Sequence, residues 1–179
     1  MKKYIALFRG INVGGNNKLP MKELVSVMEG LGMKEVRTYI QSGNAVFSCG
    51  ETGREKLGAR ISAAIKQSHG FEPWVLLLQA DELAKAIRAN PFPQAEAEGN
   101  TLHFNFLKSV PLSPNLAGME KVKAANECFQ LKGEVCYLHA PDGIGRSKLA
   151  ASMERMLGVP MTGRNWNTVQ KLREMMGKE

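Results

Sequence analysis

The chain has little cysteine and no long apolar run. Its three cysteines, Cys49, Cys128 and Cys136, are odd in number, and their spacing fits no zinc pattern. Cys128 and Cys136 fall on the two arms of a hairpin expected to turn at Lys132-Gly133. In the register that sets Cys136 opposite Phe129 their thiols point to opposite sheet faces and should not bridge. That pattern fits reduced thiols in the cytoplasm. No apolar run exceeds five residues, far too short to span a bilayer, and Trp74 to Leu78 reads as a strand covered on both faces. Met1-Lys2-Lys3 is followed by only five apolar or aromatic residues before Arg9, so no signal peptide is expected. The three histidines, His69, His103 and His139, are scattered without ligand spacing, so no metal and no metal cofactor is expected.

What is present is a basic, moderately apolar chain. Over 179 residues, 24 Lys and Arg against 17 Asp and Glu leave a net charge of +7. Apolar residues make up 44%, too many for a disordered chain. The charge favours acidic partners, a nucleotide or a nucleic-acid backbone among them, although it also serves solubility alone.

The segment Arg9-Gly10-Ile11-Asn12-Val13-Gly14-Gly15-Asn16-Asn17-Lys18 lies between an apolar strand, Tyr4 to Phe8, and a helix opening at Pro20. A glycine-rich loop leading into a helix can present backbone N–H groups to an anion, with Arg9 and Lys18 as charge partners and the Asn amides as hydrogen-bond partners. The same residues would also serve a plain turn that needs positive φ. A second basic loop, Asp142 to Lys148, contains Gly145-Arg146-Ser147-Lys148 before another helix. Two cations at a helix N-terminus oppose its macrodipole unless an anion is present, although Ser147 could simply cap the helix. Neither loop is a Walker motif or a dinucleotide fingerprint. Arg164-Asn165-Trp166-Asn167-Thr168 opens the last helix. Arg164, Asn165 and Asn167 there either meet a ligand or fasten the terminus, and Trp166 belongs to an apolar stripe.

Element order predicts an α+β fold of two ferredoxin-like (split βαβ) subdomains, each an antiparallel sheet with helices on one face. Residues 1–79 read as β-α-β-β-α-β, with helices from Pro20 to Leu31 and Arg54 to Ser68 and a hairpin at Ser42-Gly43. Residues 80–100 hold a linking helix, Asp81 to Ala89 with Asp81 as N-cap, and a mobile polar loop, Gln94 to Asn100. Residues 101–179 read as β-α-β-β-α with an extra terminal helix where a fourth strand could have been, as an ancient duplication would leave. On one sheet face of this half, Tyr137, His139, His103 and Gln130 are expected to gather, where they could stack a base.

Four motifs, Arg9 to Gly15, Tyr39 to Asn44, Gly145 to Leu149 and Arg164 to Val169, occur in an order that resembles the bacterial family called domain of unknown function 1697. The resemblance implies a two-part α+β fold with ferredoxin-like subdomains and no established activity. The expectation is a cytoplasmic protein with no membrane partner, binding a phosphate-bearing or other anionic ligand between its halves. The candidate ligand-binding residues are Arg9, Gly10, Asn12, Gly14, Gly15, Asn16, Lys18, Gly145, Arg146, Ser147, Lys148, Arg164, Asn165 and Asn167. An enzyme acting on a small anionic metabolite and an interaction module without a ligand stay open. No catalytic residue, organic cofactor or oligomeric state is read from the sequence.

Overall fold

The computed structural model describes residues 1–51 and 53–177. The chain divides into two compact units: Met1–Ala84 with the C-terminal segment from Lys171, and Lys85–Gln170.

The first unit carries β1 (Lys2–Arg9), α1 (Met21–Gly30), β2 (Lys34–Tyr39), β3 (Asn44–Cys49), α2 (Arg54–His69) and β4 (Trp74–Leu78). Its antiparallel sheet has the order β2-β3-β1-β4, the split βαβ arrangement. The two central strands, β1 and β3, are the ones buried without alternation, Tyr4 to Phe8 and Asn44 to Cys49. Trp74 to Leu78 departs from the expectation of two covered faces. It forms a sheet edge, where Val75 and Leu77 are buried and Trp74, Leu76 and Leu78 only half-buried.

One face of this sheet buries Tyr4, Ala6, Phe8 and Phe47 against Leu24 and Met28 of α1 and Leu57, Ile61 and Ile65 of α2. Pro20 precedes α1 as its N-cap rather than standing inside it. The helix ends in a Schellman motif: Gly32 N–H bonds Glu29 O at 2.9 Å, and Met33 N–H bonds Met28 O at 3.2 Å. Gly32 takes φ 86° there, as a left-handed C′ residue must. At the other end of the chain, Lys3 Nζ donates to Met176 O and Arg37 Nη2 to Met175 O. Those two cations meet the last carbonyls of a helix, where positive charge is favoured.

The second unit begins within α3 (Ala80–Arg88) and carries β5 (Leu102–Leu107), α4 (Leu116–Val122), β6 (Cys128–Lys132), β7 (Val135–His139), α5 (Lys148–Leu157) and β8 (Met161–Asn165). A final helix, α6 (Trp166–Met176), starts here and ends in the first unit. The sheet order β6-β7-β5-β8 repeats the first unit's topology. The fourth strand, which the sequence pattern did not reveal, is therefore present. β8 holds five β5 partners, Met161 to Asn165 against Leu107 to His103. Its Gly163 and three polar residues give it no strand signature of its own, so its strand form comes from pairing.

Two smaller expectations also change. Gln79, not Asp81, precedes α3, and Glu82 Oε2 accepts from Gln79 N–H at 2.8 Å, half of a capping box. The stretch Gln94 to Asn100 is not an open loop but largely a 3₁₀ helix, Pro93–Glu98. Ala95 is buried there, and Asn90 Nδ2 donates to Glu96 Oε1 at 2.8 Å.

The β6–β7 hairpin pairs Cys136 with Leu131 and Cys128 with His139, two positions from the expected register. An even shift leaves side-chain faces unchanged, so the two thiols still lie on opposite faces. All three cysteines are free, Cys128 exposed and the others buried. Burial pushes the Cys136 thiol up to about 12. In the native protein the exposed Cys128 should therefore react promptly with a thiol reagent while Cys49 and Cys136, both buried, lag far behind. Unfolding without reductant should then expose all three thiols; a total of one would contradict this pairing.

Candidate functional site

The Arg9–Lys18 segment is a small hairpin. Val13 and Asn16 form a bridge, with Asn16 N–H bonded to Val13 O at 3.0 Å. Gly14 and Gly15 sit at its tip with φ 59° and 78°, the two positive values a type I′ turn requires. The glycines thus form a protruding tip and do not lead into α1. Asn12 and Asn17 hold the base. Asn12 takes φ 53°, accepts from Leu19 N–H at 2.8 Å and donates to Leu19 O at 2.9 Å and Gln41 O at 2.8 Å. Asn17 Nδ2 donates to Gly10 O at 2.9 Å. The Asn12 amide is fully used in positioning, so it is not a ligand contact. Arg9, Gly10, Asn16 and Lys18 are exposed.

At the second basic loop, Ser147 is the N-cap of α5, its Oγ accepting from Ala150 N–H at 3.0 Å. Ser147 O accepts from Ala151 N–H at 3.1 Å. The N–H groups of Lys148 and Leu149, in the first turn, find no acceptor among the described residues. Gly145, Arg146 and Lys148 are exposed, and neither cation forms an ion pair with a described residue.

The Arg164–Thr168 motif is a structural junction. Arg164, the penultimate residue of β8, is buried, and its Nη1 donates to Thr162 Oγ1 and Gly163 O, both at 2.8 Å. Burial lowers the guanidinium to about 10, so it keeps its charge at neutral pH. Asn165 Oδ1 caps α6 by accepting from Thr168 N–H at 3.0 Å. Trp166 is buried, and its backbone N–H donates to Gly99 O at 3.1 Å. A Cβ on Gly99 would lie 2.2 Å from Asn167 Oδ1, so that side chain closes over Gly99. Arg164 is thus held within β8 and Asn165 fastens the start of α6, while Asn167 lies exposed beside Gly99.

The register also breaks up the expected base-stacking face. His139 and Tyr137 pair with Leu102 and Phe104, whereas His103 pairs with Leu138 and shares its face with Asn105. Tyr137 is buried, its hydroxyl donating to Ala86 O at 2.6 Å, and no base could stack on it. Beside the other face lies a feature that the sequence pattern did not reveal, a cavity of about 220 Å³. His103, Asn105 and Gly163 line it from the sheet, Ala150 and Met153 from α5, and Ile144 from the basic loop. The alternation of β5 put His103 and Asn105 on one face; the cavity arises only once α5 covers that face.

The model of a family described as a protein of unknown function, DUF1697, matches residues 1–137. The chain belongs to this family. Two of the motifs, Arg9 to Gly15 and Tyr39 to Asn44, fall inside the match; those at Gly145 and Arg164 lie beyond it. No curated protein matches the chain significantly. A solved structure of the conserved bacterial protein SP0830 from Streptococcus pneumoniae is similar over 99% of this chain and 99% of its own, at 24% identity and a TM-score of 0.72. This DUF1697 member therefore shares that fold. No helix among its described residues is long and apolar enough to cross a membrane.

His103 gives the family member a pH signature. Burial pushes its imidazole below the ordinary 6.5, partly offset by a hydrogen bond with the Asn100 backbone. The unfolded chain takes up a proton below about 6.5 while the folded chain does not, so stability falls as pH falls through that range. His103→Gln should remove this loss. Denaturant midpoints at pH 7 and pH 5 should drop more for the wild type than for the variant; equal drops would contradict the assignment.

Proposed function

We propose that the protein binds a phosphate-bearing or other anionic ligand, a nucleotide or a nucleic-acid backbone, through its basic loops. One observation carries the reading: Arg146 and Lys148 stand exposed and without ion pairs to described residues around the capping Ser147 at the start of α5. Each opposes the helix macrodipole by about 0.3–1 kcal/mol, a cost that an anion at the same end would reverse. The N–H groups of Lys148 and Leu149 supply uncharged donors beside them. The exposed Gly14-Gly15 tip with Lys18 gives a second surface of the same sign, at which backbone N–H groups can approach a phosphate closely.

The test is the Arg146→Ala/Lys148→Ala double variant, titrated with a nucleoside triphosphate and with a single-stranded oligonucleotide. Stability should stay within about 0.5 kcal/mol of the wild type or rise slightly, as for exposed sites away from any packing feature. Binding should weaken by about 1–3 kcal/mol if each cation makes a charge-assisted hydrogen bond. For the oligonucleotide, the slope of log affinity against log salt should become shallower by about one unit for each phosphate that the variant no longer neutralises. A large loss of stability with unchanged binding would make the two residues structural and end the proposal.

A further inference from the structure

We propose that the cavity between the β5–β8 face and α5 is a binding site for a small uncharged aromatic or heteroaromatic molecule that carries an O–H or N–H donor. The proposal stands apart from the anion reading, because it rests on different atoms.

The first support is an unmet hydrogen bond. His103 is 9% exposed and lines the cavity, and its Nε2 is buried with no partner among the described residues. The Asn100 backbone hydrogen-bonds the ring and favours its protonated nitrogen. With Nε2 unpartnered, that bond belongs to Nδ1, which keeps the proton there and leaves Nε2 an acceptor. A buried polar atom left without a partner is unfavourable, so a donor in the cavity has a defined place to sit.

The second support is Asn105, two residues along the same strand face. Its Nδ2 is taken by Cys136 O at 3.1 Å and Met153 Sδ at 3.5 Å. Its Oδ1 remains an acceptor beside Gly163, and no described residue donates to it. A Cβ on residue 163 would come within 2.5 Å of that oxygen, so Gly163 leaves it room. The two vacant polar positions of the cavity are both acceptors.

The rest of the lining fixes the ligand class. Leu138, Ile144, Ala150, Met153 and Met161 are apolar. An anion would face two acceptors and no free donor, and a cation would find no carboxylate on the lining. The volume of about 220 Å³ exceeds the roughly 150 Å³ apolar cavity known to hold benzene, so one ring with a substituent fits.

The test compares phenol with toluene, which have nearly the same shape but differ in the donor, and adds benzoate as the anionic control. Wild-type protein labelled with ¹⁵N at histidine should bind phenol, with the His103 Nε2 resonance moving as it accepts the hydrogen bond. Toluene should bind about five- to ten-fold more weakly, the worth of one neutral hydrogen bond, and benzoate should not bind. In His103→Phe the preference for phenol over toluene should shrink towards unity. Equal affinity of the wild type for phenol and toluene, benzoate binding in the cavity, or phenol binding that leaves the Nε2 resonance in place would each overturn the proposal. Failure of phenol to bind up to its solubility would do the same and would assign Nε2 to an ordered water. The resonance is read on the wild type, so the proposal remains testable if His103→Phe does not fold.

Discussion

Phe104→Ala should destabilise the protein by about 3–5 kcal/mol, the range for deleting a buried aromatic ring. Phe104 is fully buried at the centre of β5. Its ring meets Tyr137 edge-on at 4.8 Å and lies 5.6 Å from Trp166. Those contacts join three separate strands and helices of the second unit, so little can collapse into the space left by the ring. Urea or guanidinium melts should show a lower midpoint with the slope preserved. A loss below about 1 kcal/mol would show that the aromatic cluster is less closely packed than its geometry indicates.

Gly43→Ala should cost about 2–5 kcal/mol, although it adds one methyl group to a hairpin tip. Gly43 has φ 80°, a conformation that strains any residue with a Cβ by about 1–2 kcal/mol. Space is also missing. A Cβ at residue 43 would lie 2.7 Å from both Ile11 Cδ1 and Phe8 Cβ. The Ile11 side chain can turn away, but Phe8 Cβ is fixed to the central strand, whose N–H bonds Gly43 O at 2.9 Å. Overpacking of that kind adds about 1–3 kcal/mol. Shortening Ile11 to Val should therefore fail to rescue Gly43→Ala in the same melts; a full rescue would place the whole clash on Ile11.

Most of the fold was legible in the sequence because its elements carry strong local signals. The Leu24–Met28 stripe of α1, the glycines past α1 and α2, and the alternation of β5 each have a physical period or a backbone requirement behind them. β8 was not legible, because Met-Thr-Gly-Arg-Asn is a strand only through its partner β5. The mistaken histidine face had a different origin. The less apolar faces of β5 and β7 were assumed to coincide, but the Phe104–Tyr137 face is itself buried, so polarity did not distinguish the two sides.

The candidate site was legible only in part. Gly145, Arg146 and Lys148 stand exposed at a helix start, as expected, but Ser147 is occupied as the cap. Val13-Gly14-Gly15-Asn16 carried the signature of a two-residue hairpin turn, and that is what it forms. Asn12, Arg164 and Asn165 show why polar residues near a glycine loop are weak evidence of a ligand: their amide and guanidinium groups bond to backbone. The His103–Asn105 cavity could not be read from the sequence, since an unpartnered ring nitrogen is a fact of three-dimensional packing.

Anion binding at the start of α5, as proposed, is tested by backbone amide NMR during titration with inorganic phosphate at low ionic strength. The amide resonances of Lys148 and Leu149 should move with a saturating dependence, those of Gly14 and Gly15 should follow, and both sets should return as salt is raised. Shifts confined to other residues, or none at these four positions, would contradict the claim.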